Sequence, residues 1–253
     1  MSDDTNKPRA LFSLEPATKA AIGRITGRHH CACLAVRTKS GTPLVPSMHV
    51  EAQDETTPGW SETKSYAAEV AHTRSPVFEP SANIAWGNWM QVVTLPSEVS
   101  KLSDVKQIKL YGSHLRRLPP EIGALSSLED LDIYTSYSLH WLPYEVMRCG
   151  RLLRSRISTR ALYGNMKTRL PFPRLSGPIE TLLPKTCSVC DRGFGERAPQ
   201  LRWTTQRIGT DIVPLLIHSC SEACTASVPT SPSGYFEAPH RGGGGVGMPT
   251  KND

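Results

Sequence analysis

The sequence predicts an α/β protein: a short solenoid, entered through an N-terminal capping region and followed by a small C-terminal α+β unit. Three observations predict it. Between Leu95 and Asn165 the chain reads nearly the same way three times, as LPSEVSKLSDVKQIKLYGSHLRR, LPPEIGALSSLEDLDIYTSYSLHW and LPYEVMRCGRLLRSRISTRALYGN. Apolar residues return there about every 23 residues, and self-similarity at such a period marks stacked units. Directly before the first unit stands an apolar patch with Trp86 and Trp89, and after the last come two cysteine pairs, Cys187/Cys190 and Cys220/Cys224.

Bulk properties narrow the class. A chain of 253 residues has room for one or two domains. It holds no run of 18 apolar residues, and its start, MSDDTNKPRALFSLE, has neither a basic nor an apolar leader region. The expectation is a soluble cytosolic protein that does not enter a membrane. Seven cysteines, an odd number, argue against a disulfide framework in that compartment and favour metal ligation for the clustered ones. Net charge is +6 with a pI near 9.0. Thirteen Lys or Arg against three acids between Arg148 and Arg207 concentrate that charge in one segment.

Taken in order, residues 1–60 form an N-terminal region. Its lead-in reads as disordered, ATKAAIGRI as a short helix, and HHCACLAV with PLVPSMHV as a hairpin weakened by Pro43 and Pro46. Within it His29, Cys31 and Cys33 alternate on one strand face and form a second metal candidate. Residues 61–94 form the cap. Ser61 begins a helix over Glu62–His72, since Tyr66, Ala67 and Val70 recur at helical spacing. Trp86 and Trp89, three apart, fall on one helical face that can cover the open end of the repeats, as terminal units of stacked arrays require.

Residues 95–165 are the repeats. Aligned on each Leu-Pro, the core positions are Leu95, Leu118 and Leu142, then Val99, Ile122 and Val146, then Leu102, Leu125 and Cys149. Val105, Leu128 and Leu152 follow, then Ile108 and Leu131, and finally Leu110, Ile133 and Ile157. Ser155 replaces the aliphatic residue in the third unit. Glu98, Glu121 and Glu145 fall in a first helical turn, where the dipole favours an acid; they read as structural rather than catalytic.

This pattern resembles the leucine-rich repeat family, with its L-x-x-L-x-L-x-x-N-x-L signature, over roughly 70 of the 253 residues. The resemblance implies a leucine-rich-repeat solenoid with a concave strand face and a convex face. Ser113, Ser136 and Arg160 stand where the family has the asparagine that satisfies the bend after each strand.

Residues alternating with the core on a strand face outward. These are Lys109 and Tyr111, Asp132 and Tyr134, and Arg156 and Ser158. Two readings stay open for them: a solvated ladder of alternating charge, or a binding strip for a peptide or loop, anchored by Tyr and Arg, the types enriched at interface hot spots.

Residues 166–184 are a basic connector and 185–228 a cysteine unit. Cys187-Ser-Val-Cys190 and Cys220-Ser-Glu-Ala-Cys224 flank two predicted strands, Leu201–Ile208 and Ile212–His218, around Gly209-Thr210-Asp211. Two close thiolate pairs supply four tetrahedral ligands to one zinc ion, a closed and therefore structural site. The arrangement resembles a treble-clef zinc finger. Residues 229–253 are too rich in Gly, Pro and Ser to pack, and read as a disordered tail; the four-glycine run is not followed by the Gly-Lys-Ser/Thr of a phosphate loop.

No Ser/His/Asp set, phosphate loop or dinucleotide fingerprint occurs. The leading expectation is a non-enzymatic protein-interaction module whose concave strip, Lys109, Tyr111, Asp132, Tyr134 and Arg156, binds a protein or peptide. Structural zinc at Cys187, Cys190, Cys220 and Cys224 stabilises the unit behind it. The alternative is nucleic-acid binding through the basic 148–207 segment and the finger, with Tyr163, Phe172 and Trp203 as stacking groups.

Overall fold

A computed structural model describes residues 47–166 and 170–246. The predicted N-terminal helix, most of the predicted hairpin, and His29, Cys31 and Cys33 lie outside the described residues.

The first long element is α1 (Pro58–Thr73). It starts ahead of the expected Ser61, because Thr57 in an extended conformation accepts the Trp60 N–H with its side chain and Pro58 occupies the first turn, where a missing N–H is harmless. Arg74, with φ of 53°, closes it through bonds to Ala71 and Val70. Two short helices follow, α2 (Pro80–Asn83) and α3 (Trp86–Trp89). A side chain at Gly59 would place its Cβ 1.9 Å from the Asn88 carbonyl, so only glycine lets α1 approach α3 this closely. Trp89 is fully buried in the core, whereas Trp86 is 44% exposed; only one of the two tryptophans expected to cover the core does so.

Strands β1 (Val77–Phe78), β2 (Gln107–Lys109), β3 (Asp130–Ile133) and, later in the chain, Arg154–Ile157 form one parallel sheet. Asp130 pairs with Gln107 on one side and Arg154 on the other, so positions 23 and 24 residues apart in sequence are neighbours in space. Ile108, Leu131 and Ile133 point inward and are buried. Opposite the strands run three five-residue 3₁₀ turns, Ser97–Lys101, Pro120–Ala124 and Tyr144–Arg148. Each follows a proline in extended conformation (Pro96, Pro119 and Pro143).

Before the fourth strand the chain leaves this sheet. β4 (Leu142–Pro143) joins a second, three-stranded sheet with the hairpin made of β6 (Gln200–Ile208) and β7 (Asp211–Ser219), in the order β4-β7-β6; β5 is Arg154–Ile157. The hairpin is antiparallel, and β4 lies parallel to β7, Leu142 opposite Leu215. The chain ends its described helices with α4 (Glu222–Ala226).

This corrects the expected α/β leucine-rich-repeat solenoid with a cap and an appended C-terminal α+β unit. The described residues build a small parallel sheet and a small mixed sheet with few helices, and they fall in a single compact unit. Two physical reasons account for the difference. The third Leu-Pro, Leu142-Pro143, pairs with β7 in the second sheet instead of continuing a single stack. The hairpin strands are also buried along nearly their whole length, so both faces need cover. They obtain it from the first sheet: Ile208, Val213, Leu215 and Ile217 share one core with Leu131 and Ile157.

A second cluster covers the other side. Trp203 lies at its centre, against Trp141, Tyr163 and Phe172 at ring-centroid distances of 6.0, 5.8 and 5.6 Å. The expected basic connector contributes Phe172, Leu175 and Leu182 to it, all buried. Residues expected to be too polar to pack also return to it. The backbones of Trp203 and His240 exchange two hydrogen bonds (2.7 and 2.9 Å), and the Trp203 indole donates to Pro173 O at 2.9 Å.

The bends after the strands are satisfied by serines. Ser113 and Ser136, both buried, share a 2.8 Å hydrogen bond, and Ser136 Oγ donates to Leu110 O. At the third bend Ser158, not Arg160, serves: its Oγ accepts the Thr135 N–H at 2.8 Å. Ser158 accordingly turns inward instead of facing the strip.

Candidate metal centre and exposed tyrosine face

Cys187 and Cys190 sit in a tight knuckle. An antiparallel bridge between Thr186 and Gly193 closes its base, the Cys187 N–H donates to Arg192 O at 2.8 Å, and the Asp191 N–H donates back to Cys187 O at 3.0 Å. Asp191 adopts a left-handed φ of 60° to complete the turn. Cys220 follows β7, and Cys224 lies in α4, whose cap Ser221 accepts the Cys224 N–H at 3.2 Å. The knuckle is fixed to β7 by Ser188, whose N–H donates to His218 O and whose Oγ accepts the His218 N–H.

These elements bring four Sγ atoms within 4.8 Å of one another, a group that can hold a metal ion. Cys190 lies 3.7 Å from Cys220, and Cys220 lies 3.6 Å from Cys224. A tetrahedral thiolate site with metal–sulfur bonds of about 2.3 Å has S···S edges of about 3.8 Å, so the cysteines already fit the ligand shell. Without a cation the crowding is unfavourable to charge. The Cys224 and Cys190 thiols beside Cys220 push its pKa up to about 12, while the Arg192 backbone N–H brings Cys190 down to about 7.

The centre is tied to the parallel-sheet region by Arg148, at the end of the third 3₁₀ turn. Its guanidinium donates to Cys187 O (3.2 Å) and Ser188 O (3.0 Å) and pairs with Asp191 at 3.1 Å. Neither His218 nor His240 belongs to the thiol group; both are held near a pKa of about 4 by burial. Cys149 fills a core position, its thiol raised to about 11 by burial.

The three glutamates of the 3₁₀ turns differ more than their spacing implies. Glu98 pairs with Lys64 at 3.2 Å, whereas Glu145 is buried beneath the knuckle, and burial raises its pKa against the opposing pull of the Ser188 hydroxyl. Their equivalence in sequence concealed that the knuckle covers only the third.

On the outer face of the parallel sheet, Lys109, Asp132 and Arg156 occupy one row in register. Tyr111 and Tyr134 lie beside them with ring centroids 6.0 Å apart. The Arg156 guanidinium carbon stands 5.6 Å from the Tyr111 ring centre and 5.1 Å from that of Tyr134, and its Nε is 3.4 Å from Asp132. The structure thus gathers Tyr111, Asp132, Tyr134 and Arg156, and turns Lys109 away toward Glu79 at 3.1 Å. Arg154 pairs likewise with Asp130. With the charges matched, ring surface remains: Tyr111 is 49% exposed, Tyr134 43%, and Tyr137, which the sequence did not single out, 54%.

Tyr163, Phe172 and Trp203, the rings considered for base stacking, are each at most 2% exposed and serve as core. Among the described residues no helix is long and apolar enough to cross a membrane. Comparison with protein-family models finds no match, and comparison with curated proteins finds none either.

Proposed function

We propose that this protein is a non-enzymatic interaction module whose exposed tyrosine face receives a protein loop or peptide. The observation that carries the reading is the Tyr111–Arg156–Tyr134 cluster. Arg156 is held over two rings that together leave a broad aromatic surface in water. Each exposed cation–π contact contributes about 0.5–1 kcal/mol, enough to fix the rings in place before a partner arrives and so to reduce the entropy lost on binding. Tyr and Arg are also the residues that anchor interfaces.

In the same reading Cys187, Cys190, Cys220 and Cys224 hold a zinc ion. Four soft sulfur donors at tetrahedral spacing fill the coordination sphere, so the ion's role is structural. In this reading the protein works in a reducing compartment, the cytosol, where thiols stay available to a metal.

Affinity capture from extract, comparing wild type with a Tyr111→Ala/Tyr134→Ala variant, tests the binding face. A defined set of proteins lost in the variant supports it, and an unchanged set refutes it. Nucleic acid is the competing partner, but Arg148, Arg154, Arg156 and Arg202 are all paired with acids of the fold. Retention on immobilised mixed nucleic acid that weakens steeply with salt would replace the protein-binding reading. For the ion, elemental measurement should give about one zinc per chain, lost in Cys220→Ser; folded protein free of metal would end that assignment.

A further inference from the structure

The thiol group is complete as a ligand set but open to water. Cys187 is fully buried, whereas Cys190, Cys220 and Cys224 are each half-buried. The residues beside them, Asp191, Arg192 and Gly193 on the knuckle and Glu222 and Ala223 in α4, are exposed and leave small solutes a way in. An ion that only braces a fold can be enclosed entirely; here three of the four sulfurs meet solvent.

We infer that Cys220 is the centre of a peroxide-sensitive thiol switch, in which it forms a disulfide with Cys190 or Cys224 and the zinc ion is released. The switch rests on the zinc ion proposed above and adds to it a site of chemical modification.

The oxidant is hydrogen peroxide, and the chemistry runs in two steps. A thiolate attacks the peroxide, a sulfur–oxygen bond forms, the O–O bond breaks and hydroxide leaves, so that the sulfur is oxidised by two electrons to a sulfenic acid. A neighbouring thiolate then attacks that sulfur and expels its oxygen as a second hydroxide, closing the S–S bond. Two thiolates and one peroxide thus give one disulfide and two hydroxide ions, which solvent protons convert to water.

Whichever exposed sulfur is oxidised first, Cys220 takes part. It lies 3.7 Å from Cys190 and 3.6 Å from Cys224. A sulfenic acid on either outer cysteine has Cys220 beside it, and one on Cys220 has both. Reaching the bond length of about 2.05 Å takes a movement of less than about 2 Å. Cys187 is left out on two counts: it has no exposed surface, and its sulfur accepts the Cys220 N–H at 3.4 Å. The bridge therefore does not form between Cys187 and Cys190, where the short spacing alone would put it. Once formed, it removes two of the four sulfur donors, and affinity for the ion falls with them.

The test uses the full chain, reduced, loaded with zinc and treated with a small molar excess of hydrogen peroxide. A chromogenic chelator too weak to strip the untreated protein follows zinc release. Quenching in acid, alkylation of the remaining thiols and peptide mass mapping locate the bridges. About one zinc ion should be freed for each bridge formed, with Cys220 in the bridge. Cys187 and the core residue Cys149 should be recovered as free thiols, and dithiothreitol with added zinc should restore the loaded protein. A Cys187–Cys190 bridge would overturn the inference. Zinc that stays bound in peroxide would also overturn it, while leaving the zinc reading intact. Protein that takes up no zinc at the outset refutes the zinc reading instead, and the map of bridges alone then decides the role of Cys220.

Discussion

The hydroxyl oxygen of Ser155 lies 2.6 Å from the carbonyl oxygen of Ile208, and through it the parallel sheet is bonded to the hairpin turn. The same oxygen stands 2.7 Å from the Asp211 carboxylate and accepts the N–H groups of Thr210 and Asp211, each at 3.1 Å. A serine that breaks an apolar column thus serves as the attachment point for the second sheet. Replacing it by leucine would restore the sequence pattern and damage the protein. Ser155→Ala should lose about 1–3 kcal/mol of unfolding free energy, and Ser155→Leu more, because the larger side chain must displace the turn. Urea unfolding measures both; a Leu variant as stable as wild type would contradict the assignment.

How far the sequence could reveal this follows from which residues interact locally. The repeat spacing put Lys109, Asp132 and Arg156 side by side, as the strand register has them, and the alternation along each strand set Tyr111 and Tyr134 outward, where both are exposed, since both are consequences of local geometry. The cysteine spacing identified the thiol group for the same reason. What was not legible depended on partners far along the chain. Nothing near Phe172 or His240 announces that Trp203 will be their neighbour, and nothing near Leu142 announces a strand partner at Leu215. The solenoid expectation failed at this point: it assumed that each unit meets only the next, whereas the third unit meets the hairpin.

The connector supplies a second prediction. Phe172→Ala removes a buried ring from the cluster around Trp203 and should cost about 3–5 kcal/mol. If residues 166–184 were a passive linker, the change would stay within about 0.5 kcal/mol. Thermal or urea unfolding followed by tryptophan fluorescence separates these outcomes, since Trp203 itself reports on the cluster.

Acid should destabilise the fold within a defined window. Burial holds His140 and His240 near a pKa of about 4, with the His140 Nδ1–H donating to Ala161 O at 2.7 Å. In the unfolded chain both titrate near 6.5. As pH falls below about 6.5 the unfolded state binds protons that the folded state refuses, so stability declines until about pH 4 and then levels off. The loss is up to about 3 kcal/mol for each histidine. His140→Gln should flatten the profile between pH 6.5 and 4; an identical slope in that variant would refute the account.

Metal removal gives the fourth prediction. Arg148 fastens the cysteine knuckle to the third 3₁₀ turn, so a chelator should lower the melting temperature of the whole described unit in one transition. Arg148→Ala should lower the melting temperature of the untreated protein and widen its sensitivity to chelator. Scanning calorimetry that instead resolved a separate low-temperature step would show the centre to be independent of the sheets.

Strand β4 is only two residues long, yet it joins positions 142 and 215, which lie 73 residues apart along the chain. Loop closure over that distance is an entropic cost that must be met before the contact returns any energy, and non-local pairings of this kind slow folding. The pairing of β4 therefore waits for the hairpin: until β7 has been synthesised, Leu142 has no strand to lie against. Docking of the third unit onto the hairpin is accordingly expected to be a late step in folding.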